Sequence, residues 1–108
     1  MTVSELCKQG GFTAVNIAEG EREIKGAYAC DLLSWVIGRA PASAALVTVM
    51  TNVNVIAVAV MAELSCVILC EGVKADDIAL EKAKEQGVNV LSSDAPIFET
   101  CNKLGTLI

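Results

Sequence analysis

Thiols are the most reactive groups this chain offers, at Cys7, Cys30, Cys66, Cys70 and Cys101. Cys66 and Cys70 are four apart, which puts both on one side of a strand. There they would suit a redox pair or, with Cys30 or Cys101, the ligation of an iron–sulfur cluster. An extended chain rises about 3.3 Å per residue, so the two sit roughly 13 Å apart, far outside disulfide reach. No CxxC accompanies them, and a buried free cysteine behaves as a small hydrophobe. They read as packing residues. The odd count argues against a closed set of intramolecular disulfides, and reduced thiols in the cytoplasm are the simpler reading.

Other catalytic equipment is missing. The chain has no histidine, which removes Ser-His-Asp and Cys-His nucleophile pairs and any histidine-based zinc site. It has no GxxxxGK[ST] loop and no GxGxxG after a strand, so neither a nucleoside triphosphate nor a dinucleotide is held in those ways. No catalytic residue, metal or cofactor is expected. The chain reads as a module that works by contact.

What it does offer is polar groups where strands should end. In an open parallel sheet, ligands settle outside the carboxyl ends of the strands, beside helix N-termini. Those ends supply Thr51, Asn52 and Asn54, then Glu71 and Gly72, then Ser92, Ser93 and Asp94. These hydroxyls, amides and one glycine would suit a small metabolite. Glu71 and Asp94 oppose a phosphate there. The same residue types also serve as turns and caps.

The elements that must position these groups alternate. Thr2-Val3-Ser4-Glu5 has the form of a capping box, opening a helix that stops at Gly10-Gly11. Residues 12–18 read as a strand, 19–21 as a turn and 24–30 as a weaker strand. Asp31 is the expected cap of an apolar helix over 32–39, ended by Ala40-Pro41. Strand 46–50, helix 53–64, strand 66–70, helix 75–86 with Gly87 behind it, strand 88–91 and helix 95–104 follow. Ser93 or Asp94 is the expected cap of the last, with Pro96 in its first turn. Residues 53–64 are rich in β-branched side chains, which favours strand. Helix is preferred because parallel neighbours need a crossover and because Ile56, Val60 and Leu64 share a stripe. The expected architecture is one α/β domain over 1–108, a mainly parallel sheet flanked by helices, with a right-handed βαβαβα C-terminal half. Whether residues 12–30 pair along one edge of the sheet or the other stays open.

Composition agrees. Hydrophobic residues make up 54% and aromatics only 4%, so aliphatic side chains must fill the interior, and some apolar surface is left for an oligomer interface. Trp35 and Tyr28 could anchor a partner, but Trp35 lies inside an apolar helix and reads as core. Eight basic against thirteen acidic residues give a net charge of −5, with no basic stripe for nucleic acid. Residues 40–62 carry no charge, yet Thr51-Asn52 at their centre opposes a membrane span. Residues 1–9 are polar and do not resemble a signal peptide.

The run Arg22-Glu23-Ile24-Lys25-Gly26-Ala27-Tyr28-Ala29-Cys30-Asp31-Leu32-Leu33, the 46–50 strand and the 66–72 segment together resemble the DRTGG domain. That family is similar to the N-terminal domain of bacterial HPr serine kinase/phosphorylase. Met50-Thr51-Asn52-Val53-Asn54 stands where the family has a G-D-R-x-D-like turn, without its arginine and first aspartate. Cys70-Glu71-Gly72 stands where it has T-G-G and keeps only the last glycine. The resemblance implies an α/β regulatory module, usually fused to catalytic or CBS domains and often homodimeric. A homodimer is therefore expected here, with a partner enzyme or a small metabolite as the other contact.

Overall fold

Residues 1–108 are described by a computed structural model. The elements run α1 (Val3–Gln9), β1 (Thr13–Asn16), β2 (Gly26–Ala29), α2 (Leu33–Arg39), β3 (Ala44–Thr48), α3 (Val53–Met61), β4 (Cys66–Leu69), α4 (Asp77–Gln86), β5 (Val90–Ser92) and α5 (Ile97–Gly105). They build one five-stranded sheet of order β1-β5-β4-β3-β2. β2 to β5 are parallel, each joined to the next by one helix, and β1 closes the far edge antiparallel to β5. The expected α/β class and the βαβαβα second half are what the chain forms.

Side-chain alternation along the strands explains the layers. Ala44, Leu46, Val67, Leu69 and Val90 face α2, α3 and α4, and the intervening Ala45, Val47, Cys66, Ile68, Cys70 and Leu91 face α1 and α5. β3 and β4 are buried along their whole length, as strands covered on both faces must be.

The first thirty residues join both edges of the sheet. After β1 at one margin, the chain crosses beneath the amino ends of β5, β4 and β3 before entering β2 at the other. Each crossing is fastened. Asn89, just before β5, takes the Ala18 and Glu19 N–H groups on Oδ1 at 2.8 Å and donates to the Glu19 carbonyl at 2.9 Å. Ser65, just before β4, donates to the Glu23 carbonyl at 2.6 Å. The Ser43 carbonyl, just before β3, accepts from the Lys25 N–H at 2.9 Å. Arg22 donates to the Glu63 carbonyl at 2.9 Å, behind the C-terminus of α3, where a cation is favoured by the helix dipole.

Several local expectations need correction. Thr2 and Glu5 do form the capping box, but Asp31 does not cap α2. Leu32 stands at that position without a side-chain bond, because the Asp31 carboxylate is held by β3. Pro96 occupies the N-cap of α5, which starts two residues later than expected. The buried side of α3 is Val55, Ile56, Val58 and Ala59, and Val60 is exposed. Trp35 is not core. It is 48% exposed, with the Arg39 guanidinium 3.9 Å from its ring centroid in a cation–π contact. α2 follows the marginal strand β2 and fully buries only Val36, with Leu33 partly covered, so Trp35 and Ile37 are left outside.

Candidate functional site

Strand ends and helix starts converge at the carboxyl edge of the sheet, and most of their polar groups are engaged in building it. Asp31 Oδ1 accepts from Thr48 Oγ1 at 2.7 Å and from the Val49 N–H at 3.0 Å, and Thr48 Oγ1 accepts from the Met50 N–H at 3.2 Å. These bonds end β3 at Thr48, since Val49 and Met50 turn to side chains rather than to the ladder. The Thr51 carbonyl accepts from the Asp76 N–H at 3.1 Å, tying the start of α4 to the end of β3. Asn52 caps α3, its Oδ1 accepting from the Asn54 N–H at 2.9 Å. Asn54 itself points elsewhere, into a groove of about 310 Å³ between α3 and α4 with Ala57, Met61 and Lys82.

The exit of β4 is a tight turn. The Val73 N–H donates to the Cys70 carbonyl at 3.2 Å, with φ of +60° at Glu71 and +69° at Gly72. Two successive left-handed residues are the pattern of a type I′ turn. This turn is joined to the segment after β5: the Glu71 N–H donates to the Ala95 carbonyl at 3.0 Å and the Gly72 N–H to the Ser93 carbonyl at 3.1 Å. A Cβ on Gly72 would sit 3.5 Å from Asp94 Oδ1, so Glu71, Gly72, Ser93 and Asp94 form one locus. Ser93 Oγ accepts from the Ala95 N–H at 3.2 Å and lies 3.1 Å from Thr100 Oγ1, which fixes the first turn of α5.

Beside that locus, on the α4 side of the sheet, opens a cavity of about 430 Å³. Ala14 and Val15 of β1, Leu69 of β4 and Val73, Ala75 and Leu80 make its apolar walls, and Ser92, Lys74 and Asp77 supply its polar groups. Of the eight residues nominated from sequence, Ser92 alone lines this cavity. Lys74 and Asp77 were not nominated. Their only sequence signal is that they flank the start of the helix after β4, the place where the strand-end rule would look. Neither pairs with the other: the ion pairs of the protein are Met1 with Glu23 and Lys82 with Glu85.

The thiols stand apart from this site. Cys66 and Cys70 are fully buried between the sheet and the α1/α5 layer. Burial pushes the Cys66 thiol up to about 12, and also raises Cys7, Cys70 and Cys101 above the usual thiol value. A thiolate nucleophile is disfavoured in such surroundings.

The model of one protein family, the DRTGG domain, matches residues 34–107. The chain belongs to that family. No curated protein matches the sequence. Among solved structures, one of the CBS and DRTGG domains of the regulatory region of Clostridium perfringens pyrophosphatase, complexed with the activator diadenosine tetraphosphate, shares the fold. It matches with a TM-score of 0.73 at 12% identity. The match covers 95% of this chain and 45% of that one, so this DRTGG domain spans less than half of that structure. The family match does not reach the 22–33 run that resembles the family in sequence, whereas the structural match takes in nearly the whole chain.

Glu71 and Gly72 in the turn after β4 both have positive φ, which only glycine adopts without cost. Replacing Glu71→Gly in this DRTGG domain is expected to stabilise it by about 1 kcal/mol. Urea unfolding of the two proteins measures this.

Proposed function

We propose that this DRTGG domain is a non-catalytic regulatory module that dimerises and responds to a small metabolite held at the carboxyl ends of its strands. The observation that carries the reading is the cavity beside Ser92. It lies where open parallel sheets take ligands, and its volume of about 430 Å³ falls in the ordinary range for small-molecule sites. The locus of Glu71, Gly72, Ser93 and Asp94 forms its neighbouring rim, while Thr51, Asn52 and Asn54 frame the start of α3. Membership of the family and a fold shared with part of a regulatory region that is complexed with an activator favour the same class.

The dimer reading rests on an unguarded margin. β2 ends the sheet with β3 as its only neighbour, and its Gly-Ala-Tyr-Ala sequence has no charge, proline or bulge of the kind that blocks edge pairing. Leu32, 52% exposed, and Trp35 lie next in the chain. A net charge of −5 repels a second copy elsewhere. Reduced, buried thiols suit a cytoplasmic setting. A second reading, docking on a separate enzyme, is favoured by Phe98 on α5, which is 78% exposed.

The test is a titration of the full chain with nucleotides, amino acids and organic acids. Amide shifts are followed by NMR at Leu69, Val73 and Ser92, with sedimentation equilibrium alongside. Shifts at those amides from at least one class, in a dimeric protein, are the expected result. A monomer whose amides respond to none of them would overturn the proposal.

A further inference from the structure

Resting on the reading of that cavity as a metabolite site, we infer that its ligand is a free α-amino acid with an aliphatic side chain. The cavity presents one cation, Lys74, one carboxylate, Asp77, and one hydroxyl, Ser92. None of the three side chains has a hydrogen-bond or ion-pair partner within the protein. The side chains of Thr51, Asn54, Glu71 and Asp94 are free as well, but they lie outside the lining of this cavity. Asp31, Thr48, Asn52 and Ser93 are each engaged in holding a turn or a helix start.

Opposite charges on one rim select an amphoteric ligand. A carboxylate meets the Lys74 ammonium and the first N–H groups of α4, which Asp76 leaves uncapped. An ammonium meets the Asp77 carboxylate and Ser92 Oγ. Between them lie aliphatic walls, Val15, Leu69, Val73 and Leu80, against which a branched hydrocarbon side chain buries its surface. A polyphosphate fits less well. Glu71, Asp76, Asp77 and Asp94 gather around this end of β4, β5 and α4, and Lys74 is the single cation in the lining. The walls also contain no aromatic ring on which a nucleobase would stack.

L-leucine is the first probe, with 4-methylpentanoate and 3-methylbutan-1-amine as analogues lacking the ammonium and the carboxylate. Leucine at millimolar concentration is expected to shift the Leu69, Val73 and Ser92 amides. Each analogue should bind about tenfold more weakly or worse, since one charge-assisted bond is lost. Lys74→Met and Asp77→Asn should each weaken leucine by a similar factor while leaving the melting temperature nearly unchanged, both side chains being exposed. Unmoved amides, or leucine binding that survives both substitutions, would overturn the inference. If a nucleotide or organic acid shifts those amides and leucine does not, this assignment falls and the metabolite-site reading stands.

Discussion

Asn89→Ala is expected to cost about 3 kcal/mol of folding stability, more than any other single polar substitution in the chain. The side chain is 2% exposed and makes four hydrogen bonds to backbone. It accepts from the Ala18 and Glu19 N–H groups at 2.8 Å, and donates to the Glu19 carbonyl at 2.9 Å and the Ser65 carbonyl at 3.0 Å. Truncation leaves the Ala18 and Glu19 N–H groups and the Ser65 carbonyl without partners, while the Glu19 carbonyl keeps its bond from the Arg22 N–H at 3.1 Å, and a buried polar group stripped of its bond costs about 1–3 kcal/mol. The Ser65 carbonyl, inside the fold, cannot turn to water, whereas the Ala18 and Glu19 groups partly can. That difference limits the sum. The loss should appear in urea unfolding as a lower midpoint, and in hydrogen exchange as faster opening of β1, whose partner is β5 alone. Asn89→Asp sharpens the test, because the carboxylate keeps the two acceptor bonds but faces the Glu19 and Ser65 carbonyls without a proton to give. A loss under 1 kcal/mol for Asn89→Ala would mean that the crossing segment is held by Ser65 and Ser43 without it.

The part played by Asn89 also shows where sequence reading stops. Alternating apolar runs and turn residues were enough to order the elements from β3 to α5, because parallel strands need crossovers of that length and Gly87 marks an end visible in the chain itself. Nothing local says that residues 18 and 19 will meet residue 89. The sheet margin taken by β1 was therefore open, and so was the path by which the chain reaches β2. The same limit moved Asp31 from a helix cap to a partner of Thr48 and Val49. It also moved the start of α5 to Ile97, since the Ser93 hydroxyl serves Thr100 and the Ala95 N–H. In α3 the difficulty was different. Every position from Val55 to Met61 is apolar, so periodicity alone could not choose which side faces the sheet. The strand-end rule leads to the carboxyl edge of the sheet, where Ser92 lines the cavity. It could not separate the residues that build the turns from Lys74 and Asp77, which the turns leave unengaged.

Buried thiols make a second large effect visible at alkaline pH. Cys66 is fully buried, and desolvation by the surrounding core lifts it from the ordinary value of 9.0 to about 12. Above pH 9 the unfolded chain gives up this proton and the folded one keeps it. The unfolded state is then favoured by about 1.4 kcal/mol for each pH unit until the folded thiol also ionises. Below pH 9 both states are protonated and the thiol contributes no pH dependence. Between pH 9 and pH 11 the loss attributable to Cys66 is thus roughly 3 kcal/mol, a large share of the stability of a domain this size. Cys7, Cys70 and Cys101, also raised by burial, push in the same direction and steepen the total. The contribution of Cys66 is isolated by difference. Cys66→Ala should be less stable than the parent at pH 7, because it leaves a small void, and the gap should close or reverse as pH approaches 11. Stability curves that stay parallel from pH 7 to pH 11 would mean that the thiol ionises as easily inside the fold as outside it.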